Sequence, residues 1–169
     1  MITVALDKKR HDRKRFDCGV EVLNSYLRVM AYQQASKDNT RTFVIEDQQQ
    51  TNFIVGFYTL TMISLNLTAL PQKLQNKHQS AQAGGLIARL AVDKRYIKKG
   101  YGEFLLIDAL KKLLITSEMV AFPLIIVDAK QGVESFYQRF GFTPFLDTPN
   151  KLFITLADVR NNLNIINHT

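Results

Sequence analysis

The segment RLAVDKRYIKKGYGEFLLIDAL, residues 89–110, decides the fold. It continues an apolar strand that is predicted to run from Leu86 to Asp93. A basic turn with two glycines follows, and then an apolar helix is predicted from Glu103 to Thr116. N–H groups at a helix N-terminus bind phosphate, and glycines let the backbone come close to the anion. Because strand, basic turn and helix occur together, the segment indicates a site for a phosphate or pyrophosphate.

The amino-acid sequence of the turn excludes two common phosphate-binding motifs. No G-K-[ST] follows the turn, so it is not a P-loop. The glycines at 100 and 102 are not part of a G-x-G-x-x-G fingerprint, so a dinucleotide site is not indicated either.

Upstream of this segment the pattern changes from strand to helix and back to strands. A short strand is predicted over residues 2–6, and a helix begins near Asp17, a favourable N-cap residue. Apolar residues then recur every three or four positions until the pattern fades at Ser36. Residues 41–46 and 53–65 are β-branched and aromatic, and a polar turn separates them, so an antiparallel hairpin is expected.

Downstream of the hairpin, residues 66–84 read as a loop or a short irregular helix. After the segment 86–114, FPLIIVDA (122–129) is apolar throughout, as expected of a strand buried on both faces. A helix over 131–140 ends at Gly141, strands follow at 142–145 and 151–156, and an amphipathic segment over 157–166 closes the chain. This order predicts one domain, 1–169, of mixed α+β / α/β class with a mixed sheet.

Composition sets further limits on location and partners. The formal net charge is +7, and basic residues cluster at 8–15 and 94–99, which favours a polyanionic partner. Cys18 is the only cysteine, so an internal disulfide is excluded and a reducing cytoplasm is expected. No apolar run reaches the roughly 18 residues that span a membrane, and the first residues do not form a secretory signal.

The quoted segment resembles the acetyl-CoA motif of the GNAT acetyltransferase superfamily, [Q/R]-x-x-G-x-[G/A], which follows a strand that carries the acyl-pantetheine. Gly100 and Gly102 match, whereas Ile97 stands where Gln or Arg is usual. VDAKQGVESFYQRFGF (127–142) resembles the late block of the superfamily, a strand and a helix ending in FYxxxGF.

The opening of the chain is similar to one subgroup, the GNAT toxins of bacterial type II toxin–antitoxin modules. KRFDCGVEVLNSYL (14–27) resembles F-D-C-G-x-x-x-L-N-x-[FY]-L, and ARLAVD (88–93) resembles G-R-L-A-V-D with Ala88 in place of Gly. LFITLADVRNNL (152–163) resembles the tail of that subgroup, so the likeness covers nearly the whole chain.

The resemblance implies a GNAT-like three-layer fold, in which a central mixed, mostly antiparallel sheet is flanked by helices. It also implies which residues hold acetyl-CoA. The main chain of the strand would pair with pantetheine and polarise the thioester carbonyl, and the glycine turn with the helix start would hold the pyrophosphate. These expected cofactor contacts are Leu90, Ala91, Val92, Lys98, Lys99, Gly100, Tyr101, Gly102 and Glu103. The pyrophosphate loop is expected to tolerate Ile97, because the residue usual at this position in the superfamily acts largely through its main-chain N–H.

Tyr137 is the residue that the resemblance points to as the general acid, which would protonate the thiolate of coenzyme A. A phenol has an unperturbed pKa of about 10 and is therefore a proton donor at neutral pH. Read without the resemblance, an aromatic residue here would be expected to pack in the core. Neighbouring Phe136 is expected to be a core residue.

Other polar residues give weaker indications. Substrate contacts are expected from Arg89, which could equally order a loop, and from Arg13, Lys14 and Arg95. No general base is indicated: His11, His78 and His168 lie in polar stretches and are expected to face solvent. Cys18, without a histidine nearby, is expected to be a buried small residue rather than a nucleophile. No residues have the spacing of metal ligands.

Three functions are compatible with this sequence. The toxin resemblance implies acetylation of the α-amine of aminoacyl-tRNA, which blocks translation, and the basic clusters independently favour an RNA partner. A ribbon-helix-helix antitoxin and a homodimer are then expected. The alternatives are an acetyltransferase of a small-molecule or protein amine, and a non-catalytic acyl-CoA-binding module.

Overall fold

The computed structural model describes residues 1–167, which form seven strands and six α-helices. The strands are β1 (Val4–Ala5), β2 (Arg41–Glu46), β3 (Ile54–Ser64), β4 (Ala83–Val92), β5 (Leu124–Asp128), β6 (Thr143–Pro144) and β7 (Lys151–Thr155). The helices are α1 (Glu21–Ser25), α2 (Ala31–Ser36), α3 (Gln72–Lys77), α4 (Tyr101–Met119), α5 (Glu134–Gln138) and α6 (Leu156–Asn167). A π-helical turn (Tyr26–Met30) joins α1 to α2.

The strands form one mixed sheet in the order β1-β2-β3-β4-β5-β7-β6. The predicted hairpin is confirmed, because β2 and β3 pair antiparallel with Phe43 opposite Tyr58. β4 and β5 are parallel, while β5 pairs antiparallel with β7 and β7 with β6. The sequence-based expectation of a mixed, mostly antiparallel sheet flanked by helices is therefore confirmed.

The chain divides into two compact units. Unit 1 comprises Met1–Thr61 and Ala88–Ala109. Its core lies beneath α1, the π turn and α2, and Leu27, Ala31 and Phe57 are completely buried there. Gly56 of β3 is in close contact with α4, since a Cβ at this position would lie 2.9 Å from Leu105 Cδ1. That Cβ would also lie 3.0 Å from the Ala91 carbonyl oxygen of β4, so a larger side chain requires the Leu105 side chain or the main chain of β4 to move.

Unit 2 comprises Met62–Ile87 and the chain from Leu110 onward. Its core is built on β5, whose first four residues are buried, as the apolar run predicts. Leu124 and Ile126 of β5 pack with Leu70, Phe145 and Phe153. Among the described residues, no helix is both long enough and apolar enough to cross a membrane.

The first helix does not begin at Asp17, so that prediction is wrong. Helix α1 starts at Glu21, and Val20 precedes it in an extended conformation without a side-chain cap. The Asp17 carboxylate instead accepts hydrogen bonds from Gly19 N–H and Asn24 Nδ2, each at 2.9 Å. These bonds close the loop before the helix, which is an alternative use of an Asp side chain in local structure.

The π turn shifts the apolar stripe of this helical region. Leu27 and Ala31 are fully buried, but Met30, which regular helical spacing places on the same face, is 40% exposed. A π turn contains one more residue than an α turn, so the residues that follow are rotated relative to those before it. The predicted stripe is correct only for its first part.

Several predicted boundaries differ from the structure. Helix α4 begins two residues earlier than predicted, at Tyr101, and extends to Met119. Helix α5 is shorter than the predicted 131–140, because Gly132 adopts φ +88° and its N–H is held by the Glu134 side chain. Gly141 does end this helical region as predicted, with φ +91°.

Candidate active site

The basic glycine turn lies between β4 and α4 in unit 1. A short 3-10 turn (Lys94–Tyr96) follows the strand, then Lys98 (φ +59°) and Gly100 (φ +79°) adopt left-handed conformations before α4 begins. Alternation of this kind directs main-chain N–H groups into an anion-binding concavity. A Cβ at Gly100 would have no atom within 4 Å, so this surface of the loop is open.

The residues of the turn fit a pyrophosphate. Lys98 and Lys99 are exposed, and Ile97 is 54% exposed, so its side chain contributes little to the core. The N–H groups of the first helical turn lack partners within the helix and carry the positive end of its dipole. Two exposed lysines and a helix N-terminus therefore offer charge and hydrogen bonds to one anion.

Tyr96 holds the glycine turn in place through one hydrogen bond and two ring contacts. Its hydroxyl donates a 2.6 Å hydrogen bond to Asp47 Oδ2, and its ring lies 5.9 Å from the rings of both Phe53 and Tyr101. The hydrogen bond to Asp47, with a smaller contribution from burial, raises the pKa of Tyr96 to about 12. Tyr96 thus remains a neutral donor and connects the turn to the β2–β3 loop.

Asp93, the residue after β4, is a buried hydrogen-bonding centre. Its carboxylate accepts bonds of 2.9 Å from Arg95 Nε, from Arg95 Nη2 and from the main-chain N–H of Asp17. Its side chain is completely buried. Burial alone raises the pKa of Asp93, but the bonds from Arg95 and Asp17 outweigh it and lower the pKa overall. The base of the turn is therefore fixed to the loop that precedes α1.

We expect acid to weaken unit 1 through Asp93. Because the pKa of Asp93 is lower in the folded chain than its ordinary value of 3.8, the ionised carboxylate stabilises the fold fully above that value. This contribution is lost as the pH falls through the folded pKa. Urea unfolding between pH 7 and pH 3 should show a falling free energy of unfolding, with a shallower fall in Asp93→Asn. Equal slopes for the two proteins would contradict this assignment.

Arg95, predicted to contact substrate, already has protein partners. Besides Asp93, its guanidinium contacts the Arg15 carbonyl oxygen (3.1 Å) and lies 4.0 Å above the Phe53 ring. Arg13 similarly donates to the Arg28 carbonyl oxygen at 3.0 Å. Both arginines thus have structural contacts, and their predicted substrate contacts remain predictions. Lys14 is exposed.

The two basic clusters of the sequence meet in unit 1. Lys94 Nζ lies 2.5 Å from Asp17 Oδ2, and Arg95 bonds to the main chain of Arg15. These segments, about 80 residues apart, are therefore adjacent where Arg95 contacts Arg15, and we call their exposed lysines the basic surface of unit 1. Its exposed lysines are Lys8, Lys9, Lys14, Lys94, Lys98 and Lys99.

Strand β4 carries the residues predicted to hold pantetheine, and Arg89 precedes them. Ala91 is buried in the core of unit 1, whereas Leu90 and Val92 are half-buried. Arg89 shares the face of Ala91. Its guanidinium carbon lies 3.7 Å from the centre of the Tyr26 ring, at the wall of a cleft of about 590 Å³. The cleft was not predictable from the sequence, because the π turn that shapes it has no simple sequence signal.

Tyr137 lies in α5 of unit 2, and its side chain is 7% exposed. Its ring packs edge-to-face with Phe136 and Phe142, at centroid distances of 5.1 and 5.7 Å. Its hydroxyl has no hydrogen-bond partner among the residues the structure describes. Burial raises the pKa of Tyr137 to about 12, so the phenol is a proton donor throughout the physiological range. Phe136 is half-buried, so its assignment to the core is wrong.

His11, expected to face solvent, is buried instead. Its Nδ1 accepts a 2.9 Å hydrogen bond from Asp7 N–H, and its Nε2 lies 2.7 Å from Glu46 Oε1. Glu46 is 35 positions away, which explains why the local sequence gave no sign of the contact. His78 is half-buried, with its pKa lowered mainly by burial. His168 lies outside the described residues.

Cys18 is half-buried, and its main-chain N–H donates to Asn24 Oδ1 at 2.9 Å. The expectation that Cys18 is buried is therefore wrong, and its structural rather than nucleophilic role stays a prediction. Within the described part of the chain, no group of three His, Cys, Asp or Glu residues could hold a metal ion.

Comparison with known proteins identifies the family. Residues 38–144 match the acetyltransferase (GNAT) domain. A probable toxin TacT from Sinorhizobium fredii is 28% identical and covers 92% of this chain and 91% of its own. A tRNA-acetylating toxin from Mycobacterium tuberculosis is 27% identical, covering 88% of this chain and 89% of its own.

Solved structures agree with this result. A tyrosine-to-phenylalanine mutant of KacT superposes with a TM-score of 0.87 at 25% identity, covering 95% of this chain and 97% of its own. AtaT complexed with acetyl-methionyl-tRNAfMet gives 0.86 at 24% identity, covering 96% and 98%. The chain therefore belongs to the GNAT acetyltransferase family and is an acetyl-CoA-dependent N-acetyltransferase.

Proposed function

We propose that this acetyltransferase modifies the α-amine of aminoacyl-tRNA and acts as the toxin of a toxin–antitoxin module. The observation that carries the proposal is full-length similarity to two curated relatives, one a probable toxin and the other a tRNA-acetylating toxin. The matched family domain ends at residue 144, but these relatives extend over nearly the whole chain, which supports a single GNAT domain over 1–169.

The basic surface of unit 1 supports an RNA substrate. Lysines from both clusters are exposed on it, although Lys94 is paired with Asp17. Exposed Lys side chains attract the phosphates of nucleic acid through a salt-dependent interaction that does not need base recognition. A small uncharged amine would gain nothing from such a surface, so the charge favours tRNA over the small-molecule alternative.

The proposed reaction uses three parts of the protein, which are the glycine turn, the main chain of β4 and Tyr137. Acetyl-CoA supplies the acyl group as a thioester. In our proposal the turn Lys98–Glu103 binds the pyrophosphate, and the main chain of Leu90–Val92 holds the pantetheine arm and steadies the carbonyl oxygen. Tyr137 donates its phenolic proton to the sulfur that leaves as the amine takes the acetyl group. The α-amine of an aminoacyl ester has a lowered pKa, so it attacks as the neutral amine and this scheme includes no dedicated base. The proton that the nitrogen loses on forming the amide passes to water, and the Tyr137 phenolate regains its proton from water.

Gly100 provides a direct test of the turn. Its φ of +79° is unfavourable for any residue with a Cβ, by about 1–2 kcal/mol, yet the added atom would have open space around it. We expect Gly100→Ala to fold and to raise the KM for acetyl-CoA about tenfold, because the turn relaxes away from the anion. Gly19→Ala, also left-handed and open, is the matched control and should leave this KM unchanged. An unchanged KM in Gly100→Ala would argue against a pyrophosphate at this turn.

Partners and location follow from the proposal. We expect a ribbon-helix-helix antitoxin encoded beside this gene, a homodimer, and residence in the cytoplasm where tRNA is charged. Solved structures similar to this chain include AtaT bound to the C-terminus of the antitoxin AtaR and a KacTA–DNA complex. Light scattering of the purified protein alone measures the homodimer. Light scattering after co-expression with the product of the adjacent gene measures the complex with the antitoxin.

Expression in bacteria tests the toxin proposal. We expect induction of the wild-type chain to arrest growth, and Tyr137→Phe or co-expression of the antitoxin to relieve the arrest. Viable counts and incorporation of labelled amino acids after induction provide the measurement. Normal growth with soluble wild-type protein would refute a toxin acting on tRNA.

A further inference from the structure

The cleft in unit 1 has an arginine that is held in place but is not neutralised. Arg89 lies on the Tyr26 ring at 3.7 Å and forms no hydrogen bond or ion pair within the described part of the chain. Arg95, Arg10 and Arg41 contrast with it, since each pairs with a carboxylate. A guanidinium has five N–H donors, and stacking on a ring uses none of them.

The walls of the cleft are formed largely by α1 and the π turn. Tyr26 and Met30 are the first and last residues of that turn, and both line the cleft with Arg89. π turns often occur at functional sites, because the extra residue changes which side chains reach a given surface. Thr40 contacts the Tyr26 hydroxyl at 3.5 Å, so the ring beneath Arg89 is itself restrained.

Among the described residues that line the cleft, the one carboxylate pairs with Arg28 rather than with Arg89. Glu21 lines the cleft, but its Oε1 lies 2.6 Å from Arg28 Nη2. Arg28 therefore balances Glu21, and the charge of Arg89 has no counter-ion among the described residues that line the cleft. A planar fork with free donors matches a phosphate or a carboxylate.

The position of Arg89 connects this cation to the reaction. It directly precedes Leu90–Val92, the main chain that we propose holds the acyl-pantetheine arm. A cleft of about 590 Å³ is within the range that accommodates a small ligand. An acceptor that enters the cleft would bring its amine toward the acyl group. The anionic group of the acceptor that is nearest to this amine would then lie toward Arg89.

We infer that Arg89, stacked on Tyr26, binds the 3′-terminal phosphodiester of the acceptor strand and thereby positions the aminoacyl ester for transfer. This inference rests on the proposed function, since the phosphodiester belongs to tRNA. Arg89 is then a substrate-binding residue, whereas Tyr26 positions Arg89 without touching the reacting atoms.

Two small substrates isolate this contact. An aminoacyl-adenosine lacks the phosphodiester, whereas an aminoacyl cytidylyl-adenosine contains it. For wild-type protein we expect the dinucleotide to have the lower KM. Arg89→Gln should raise the KM of the dinucleotide roughly tenfold to a hundredfold, as expected for a charged hydrogen bond, and leave the KM of aminoacyl-adenosine unchanged. The kcat and the KM for acetyl-CoA should change less than twofold.

Controls separate a structural effect from a binding effect. Arg160→Gln removes one exposed positive charge elsewhere and should leave both KM values unchanged. Arg89→Lys keeps the charge but loses the fork, so it should rescue the KM only in part. Melting temperatures of all variants should agree.

The outcomes are distinguishable. If wild type acetylates both substrates but Arg89→Gln raises neither KM, or raises both equally, the phosphodiester contact is refuted while the proposed function stands. If wild type acetylates no aminoacyl substrate, including charged tRNA, the proposed function fails and the inference fails with it.

Discussion

Replacement of Tyr137 by phenylalanine should lower kcat by about 10²–10⁴-fold, the range that general acid catalysis contributes. The ring of Tyr137 packs against Phe136 and Phe142, and phenylalanine preserves that packing. Only the hydroxyl is lost, and it has no hydrogen-bond partner within the described residues. We therefore expect an unchanged melting temperature and an unchanged KM for acetyl-CoA.

Tyr32→Phe is the matched control for this experiment. Tyr32 is 37% exposed and lies in α2, so removal of its hydroxyl should not alter kcat. Release of free coenzyme A thiol measures the rate for all three proteins. A kcat of Tyr137→Phe within twofold of wild type would show that Tyr137 only packs in the core and that the leaving sulfur obtains its proton elsewhere.

Asp93→Asn should cause the largest loss of stability among the variants considered, about 2–3 kcal/mol in the free energy of unfolding. The carboxylate is completely buried and accepts bonds from Arg95 and Asp17. Hydrogen bonds to charged groups contribute about 1.5–3 kcal/mol, and an amide keeps the shape but leaves part of this network unmatched. The partial exposure of Arg95 reduces the loss below that of a fully buried pair.

Asp38→Asn is a control of the same chemical type. Asp38 also pairs with an arginine, Arg41, but its side chain is 82% exposed and its φ is +59°, a conformation that asparagine tolerates. We expect a change below about 0.5 kcal/mol, as for most exposed ion pairs. If urea titration gave Asp93→Asn and Asp38→Asn equal stability, the buried centre at the base of the turn would not stabilise the fold.

The sequence predicts this fold well wherever the pattern depends on neighbouring residues. Strand β2 begins and ends where its β-branched and aromatic run predicts, at Arg41–Glu46. A strand that buries one face needs alternation of apolar residues over only a few positions. The near-continuous apolar run 122–129 likewise predicts the buried strand β5. The glycine turn is also predictable, since Gly100 and the helix that follows are adjacent in sequence.

Contacts between distant residues could not be predicted in this way. Asp93 is recognised as a strand end, but its partner Asp17 lies 76 positions away. The Asp17 carboxylate itself bonds to Gly19 and Asn24 instead of capping a helix. His11 was predicted to be solvent-exposed, because its contact with Glu46 joins residues that are far apart in the sequence. The π turn at Tyr26–Met30 depends on how the helix packs, so both the exposure of Met30 and the cleft beneath Arg89 were missed.

We propose that the acceptor is the α-amine of aminoacyl-tRNA, and labelling of charged tRNA distinguishes it from every other amine. Purified protein is incubated with labelled acetyl-CoA and total charged tRNA, and the label is followed into RNA and released by mild base. We predict an N-acetyl aminoacyl group on tRNA, absent when the tRNA is uncharged and reduced with Tyr137→Phe. Label that appears only on polyamine or protein, with none on charged tRNA, would contradict the account.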